Sequence, residues 1–282
     1  MAVADTLYTY DKGVNWDSIV GPFAATEDAL SAVCFAVNKD TNRWLITRGP
    51  EAGPANPAEV AYSDDGGYNW TAVDVEAAGT RSAADSGALF ALDRRHIWFV
   101  TTGGYIFFSD DGGATWSPQS EGTITTEDLN EVHFVDENNG MAVGDAGIVL
   151  KTSDGGATWA AVTSITAVPN LNTVQVLDRN MALVGTATGM IYMTFDGGTT
   201  WTQKYVLAGG DLTSIHAINK FVIWATVNTA ASLGAVIRSR NGGYSWEAIT
   251  TPTNTGLNSI HGLDANRAWA VGALGTIIKV NG

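Results

Sequence analysis

The sequence predicts an all-β fold, a single β-propeller of four-stranded blades, on three observations. An eight-residue pattern ending in tryptophan returns six times. Successive copies end 54, 46, 43, 42 and 45 residues apart, the length of a four-stranded blade. Between copies, apolar and polar residues alternate, and no stretch keeps a 3.6-residue apolar period long enough for a helix.

The copies are residues 9–16 (TYDKGVNW), 63–70 (SDDGGYNW), 109–116 (SDDGGATW), 152–159 (TSDGGATW), 194–201 (TFDGGTTW) and 239–246 (SRNGGYSW). Each suits a tight hairpin. Glycine at the fifth position admits positive φ, and the carboxylates of Asp11, Asp65, Asp111, Asp154 and Asp196 are suited to accept hydrogen bonds from turn amides. Asn241 stands at that position in the last copy. Trp16, Trp70, Trp116, Trp159, Trp201 and Trp246 close the motif, and rings of this size are expected to fill the space between neighbouring sheets. SDDGG also looks like the start of a calcium loop, but the downstream acidic ligand is missing and the glycine pair comes too early. A structural clamp is therefore the expected role, with no metal and no other cofactor.

Upstream of each copy, called a box below, one strand grammar recurs. It is cleanest at 129–136 (LNEVHFVD), 140–144 (GMAVG) and 147–151 (GIVLK), with siblings starting at Leu171, Leu212 and Leu257. These read as strands A, B and C, and the tryptophan segment supplies strand D. Five blades follow at about residues 28–76, 85–119, 129–165, 171–206 and 212–250. A sixth combines 257–282 with 1–20, so that 1–282 forms one domain and the shared blade removes free sheet edges. Residues 276–280 and 7–10 both align with strand C, one strand too many, which keeps seven blades open as the alternative.

Composition limits function. With 282 residues, 45% hydrophobic and 16% charged, 32 Gly and 10 Trp, the chain has ample core and many turns. A net charge of −14 repels a phosphate backbone, so nucleic acid is not an expected partner. Cys34 is the single cysteine, which excludes an internal disulfide. Neither a signal peptide nor an apolar run of membrane-spanning length is seen, so the expected location is a virion or the cytoplasm, without membrane insertion.

Propeller topology puts A–B and C–D turns on one face and B–C and D–A connections on the other. The boxes fall on the first face. All seven prolines, Pro22, Pro50, Pro54, Pro57, Pro118, Pro169 and Pro252, are assigned to connections of the second, where rigid scaffolds usually carry function. The most individual of these connections, 48–59 (RGPEAGPANPAE), offers Arg48, Glu51, Asn56 and Glu59 as candidate binding residues. Aligned A strands place Cys34, Phe90, His133, Gln175, His216 and His261 at one equivalent position. A ring of imidazoles could hold a metal or anion, but Phe90 and Gln175 in the same slot favour repeat packing.

The eight-residue pattern resembles the Asp box of bacterial neuraminidase repeats. A neuraminidase would add an arginine cluster, an activated tyrosine and an F/Y-R-I-P signature; no such tetrapeptide occurs and the arginines share no repeat position. The stretches at 140–159 extend the likeness to the photosystem II assembly and stability factor propellers, over nearly the whole chain. That resemblance implies a non-enzymatic binder of a protein partner, in a family whose members reach into phages. The expectation is a structural or interaction propeller within a larger assembly, with a phage virion component (capsid decoration, tail or receptor-binding module) as the main reading. A photosystem-assembly-like scaffold is the first alternative. A glycan binder using Tyr68, Tyr105 or Tyr244 is the second, and a glycosidase is the last.

Overall fold

The structure is a computed structural model, and it describes residues 5–8, 17–20, 33–35, 44–47, 59–65, 69–75, 88–162, 165, 170–231, 233–251 and 253–281. The chain falls into two compact units, Met1–Leu129 and Asn130–Gly282. The fold is all-β, built of blade-like antiparallel sheets. Helix is confined, among the described residues, to two short 3-10 turns at Thr102–Gly104 and Ala273–Gly275. None is long and apolar enough to cross a membrane.

The first unit begins with a hairpin of β1 (Asp5–Tyr8) and β2 (Asp17–Val20). A four-stranded sheet follows: β3 (Val33–Phe35), β4 (Trp44–Thr47), β5 (Glu59–Ser63) and β6 (Thr71–Asp74). The next holds β7 (Ala88–Ala91), β8 (Ile97–Thr101), β9 (Tyr105–Ser109) and β10 (Ser117–Glu121). Leu45, Val60, Val75, Ile97, Phe99 and Phe107 form the core of this unit, with Trp116 packed against it.

The second unit repeats the arrangement. Its sheets are β11 (Leu129–Phe134), β12 (Gly140–Gly144), β13 (Val149–Thr152) and β14 (Ala160–Ala161); then β15 (Leu171–Val176), β16 (Ala182–Thr186), β17 (Met190–Thr194) and β18 (Thr202–Val206). The third is β19 (Asp211–Ala217), β20 (Ile223–Asn228), β21 (Gly234–Ser239) and β22 (Glu247–Ile249). The last has three strands, β23 (Leu257–Gly262), β24 (Arg267–Gly272) and β25 (Thr276–Asn281). The terminal sheets, β1–β2 and β23–β25, together hold five strands, one more than a shared four-stranded blade requires.

The B strands β8, β12, β16 and β20 are buried, or nearly so, along their length. The two-residue side-chain period divides the burial. In β16, Ala182 and Val184 pack with Met141, Val143 and Val149 of the preceding sheet, whereas Leu183 packs with Leu212, Ile215 and Val227 of the following one. In β20, Trp224 turns instead toward Leu257, Ile260, Ala268 and Ala270. The box tryptophans join these seams: Trp201 lies against the first cluster and Trp246 against the second.

One proline departs from its expected place. Pro118 lies within β10, not in a loop, and the register shifts between Pro118 and Ser120. An edge strand tolerates proline because no ladder donor is lost, and a bulge absorbs the misfit. The other six prolines lie outside the described residues.

Gly185 in β16 leaves no room for a side chain, since a Cβ there would run into Leu212 and Thr173. Gly185→Val is expected to cost about 1–3 kcal/mol, lowering the melting temperature by roughly 2–4 °C per kcal/mol. Leu212→Ala in the same chain should add less than its separate cost, because the two changes share one contact. A thermal melt of the two single variants and the double variant checks this.

Candidate functional site

The box turns share one hydrogen-bond pattern. Ser109 Oγ donates to Asp111 (2.8 Å) and accepts the Gly113 N–H (2.7 Å). Asp111 also accepts from the Thr115 N–H (2.9 Å) and the Thr115 hydroxyl (2.7 Å), and the Trp116 indole donates to Gly113 O (3.1 Å). Thr152, Asp154 and Thr158 repeat the clamp, as do Thr194, Asp196 and Thr200. In the second copy, Asp65 is held by Ser63 and Asn69. The hydroxyl of Thr158 and that of Thr200, with turn amides, hold the Asp154 and Asp196 carboxyls down at about 2, so both are anionic at neutral pH. Asp11 and Trp16 lie outside the described residues.

The fifth described copy reverses one bond. Asn241 Oδ1 still accepts the Ser245 N–H (2.9 Å), but its Nδ2 donates to Ser245 Oγ (2.8 Å), whereas in the aspartate copies the hydroxyl donates. A hydroxyl serves either way, so the clamp does not require a charge.

A second repeated turn sits beside the first and went unnoticed in the sequence. At four of the described A–B turns an Asx side chain accepts two successive backbone N–H groups: Asp93 from Arg95 and His96, Asp136 from Asn138 and Asn139, Asp178 from Asn180 and Met181, Asn219 from Phe221 and Val222. The first box glycine then donates to the turn: Gly112 to Arg95 O, Gly155 to Asn138 O, Gly197 to Asn180 O and Gly242 to Phe221 O, at 2.9–3.1 Å. The signal was present, since Asp93, Asp136 and Asp178 each precede their box aspartate by 18 residues. Basic residues of strand C extend the link to the next sheet, Lys151 Nζ reaching Arg179 O (3.2 Å) and Arg238 reaching Ala265 O (2.7 Å).

The aligned inner-strand position makes a different set of bonds. Gln175 Oε1 accepts the Ala217 N–H (3.0 Å), so its amide nitrogen faces and donates to His133 Nε2 (2.6 Å). His216 Nδ1 accepts the Gly262 N–H (3.2 Å), and its ring lies 4.2 Å from that of His261. Two residues earlier, Glu131 accepts from Val174 N–H (2.6 Å), Thr173 from Ile215 N–H (3.1 Å) and Ser214 from Ile260 N–H (3.4 Å). The inner strands β11, β15 and β19 therefore each offer acceptors to the backbone of the next. Burial lowers the His133 pKa to about 3 and that of His216 to about 4, while burial raises Glu131 to about 7 against hydrogen bonds from Thr173 and Val174. Phe90, from the same row, tilts against Trp98 at 6.4 Å, and the side chain of Cys34 lies outside the described residues.

The candidate binding loop is likewise outside them: Arg48, Glu51 and Asn56 are not described, and Glu59 is seen only as the first residue of β5. Of the tyrosines, Tyr68 is not described, and Tyr105 is half-buried and stacks on Phe107. Tyr244 is exposed on the box face, stacked on Phe195 at 6.3 Å, with Lys204 Nζ 4.6 Å from its ring centre.

Comparison with known proteins fits this architecture. Residues 69–221 match the family model described as Photosynthesis system II assembly factor YCF48, and residues 61–72 match the BNR/Asp-box repeat. The chain belongs to the YCF48 family. A solved YCF48 with a bound D1 peptide is 15% identical, with a TM-score of 0.73 over 99% of this chain and 86% of that one. YCF48 from Cyanidioschyzon merolae is 18% identical, with a TM-score of 0.69 over 98% and 88%. An ancestral GH74 enzyme follows at 16% identity and a TM-score of 0.64, over 90% of this chain but 36% of the enzyme. No curated protein matches in sequence. At these identities the likeness shows the propeller, and the family rests on the matched model.

Two outcomes are expected of this YCF48-family chain. Asp111→Asn should melt close to wild type, because the Thr115 hydroxyl can turn to accept as Ser245 does, whereas Asp111→Ala should cost about 1 kcal/mol. The second concerns acid. His216 is neutral in the fold, so as pH falls from 6.5 toward about 4 the unfolded chain takes up a proton that the folded chain does not, and stability declines. Glu131 acts oppositely: its contribution is complete below 4.5 and is lost as pH rises through about 7. His216→Gln should keep the Gly262 bond, as Gln175 keeps that of Ala217, and should shrink the drop in melting temperature between pH 7.5 and pH 5.

Proposed function

We propose that this chain is a non-enzymatic scaffold that binds a polypeptide segment of a partner during assembly of a larger complex. The observation that carries the reading is the YCF48 family match across residues 69–221. A structure of a YCF48 with a D1 peptide supports a peptide as the form of ligand. The chemistry of the turns and the inner strands supports it too. The box carboxylates are saturated with hydrogen bonds and held anionic, and His133 and His216 spend ring nitrogens as acceptors within the fold, so neither set is poised to shuttle protons at neutral pH. The virion reading gains nothing from the comparisons, and the assembly-scaffold alternative takes its place. Glycan binding keeps only the exposed Tyr244 and Phe195 in its favour.

The test is calorimetric titration of the full chain with overlapping peptides covering D1. Binding of at least one segment at micromolar Kd, about −8 kcal/mol, is expected. Failure of every segment at millimolar concentration, or steady turnover of fluorogenic glycosides, would overturn the reading.

A further inference from the structure

The two ends of the sheets in the second unit differ sharply in charge. The A–B turns carry Asp136, Glu137, Asp178, Arg179, Lys220 and Asp264. At the other end, residues 228–234, 250–257 and 272–276 contain no charged residue and no aromatic one, in a chain of net charge −14. Three further connections at that end, 144–149, 186–190 and 206–211, hold only Asp145 and Asp211 as charged residues, each hydrogen-bonded by an asparagine of an inner strand, Asn130 and Asn172.

The three uncharged connections are bonded to one another. Gly234 N–H donates to Thr255 O and Ala273 N–H to Gly256 O, both at 2.9 Å. Thr255 and Thr276 share a hydroxyl contact at 2.6 Å, and Asn228 accepts the Leu257 N–H at 2.8 Å. On this tied platform stands Leu274, 93% exposed and in the left-handed region at φ +58°. The corresponding 3-10 turn of the earlier sheet places Gly103 there at φ +68°. Leucine at such a position is costly twice, in backbone strain and in apolar surface left in water. Leu233, 44% exposed, lies on the first of these connections, and Val271, 42% exposed, on β24 where it enters the third.

We infer that this uncharged end of the second unit, with Leu274 as its anchor, is where a polypeptide partner docks, and that the docked segment is itself apolar and uncharged. The inference rests on the protein-binding reading above. Interface centres are depleted of Lys, Glu and Asp because buried charge must be desolvated, and this is such a surface ready-made. The exposed side chains of Thr250 and Asn254 beside them suit hydrogen bonds to a peptide backbone. A lipid surface fits less well, since these connections lack the Lys and Arg that meet headgroups. A glycan fits less well, since they lack a ring to stack on.

The experiment titrates the full chain with end-blocked dodecapeptides, one set uncharged and apolar, the other identical but for two Lys or two Glu. Leu274→Gly removes the side chain together with the strain, so it should melt no lower than wild type. The uncharged set should bind at least tenfold more tightly than the charged sets, and Leu274→Gly and Leu274→Asp should each weaken that binding at least tenfold. Equal binding by wild type and both variants would overturn the placement while leaving the scaffold reading intact. Preference for the charged sets would overturn the chemistry. Association with phosphatidylcholine vesicles, or self-association by sedimentation, that Leu274→Asp abolishes would overturn the choice of partner. If no dodecapeptide binds, the inference fails; if the D1 peptides also fail, the scaffold reading falls with it.

Discussion

Side chains of one inner strand accept hydrogen bonds from the backbone of the next, and much of the second unit follows from that. Glu131, Thr173 and Ser214 do so at one level, and Gln175 and His216 do so two residues further along. An inner strand that pairs with its own sheet on only one side has backbone donors left over on the other. Satisfying them from the neighbouring sheet avoids the cost of burying them unpaired. The apolar seams behind them, Leu183 with Leu212 and Trp224 with Ile260, then pack at a spacing those bonds help to set.

The constraint also explains why chemically unlike residues share one aligned position. Histidine and glutamine look unrelated as candidates for catalysis or metal binding, yet as neutral acceptors of an N–H they are equivalent. Burial reinforces the equivalence by keeping the imidazoles unprotonated. Two of the three histidines in a row that reads as a possible ion site, His133 and His216, are thereby engaged by the fold itself.

The fold was legible because the signals that define it are local. Six boxes with their tryptophans, and strand triplets starting at Leu129, Leu171, Leu212 and Leu257, announce an all-β propeller of repeated antiparallel sheets. Less was legible about what the blades do to one another. Nothing in the residue type of Asp136 or Asp178 distinguishes a turn-capping carboxylate from a solvated one until the first box glycine is seen to donate into the same turn. The uncharged platform was hidden for another reason: residues 228–234, 250–257 and 272–276 are distant in sequence, and only the topology gathers them. The candidate loop at 48–59 drew attention by its prolines, a property of one segment, whereas the charge asymmetry belongs to a surface.

The asparagine of the last box has a meaning for lineage. Because Asn241 keeps the turn by exchanging donor and acceptor with Ser245, the motif can lose its namesake residue in a single substitution and still close its hairpin. The turn at that position needs hydrogen-bond geometry, not charge. Searches that demand an aspartate will therefore undercount the repeats of ageing propellers, whereas the fifth-position glycine and the closing tryptophan stand in all six copies.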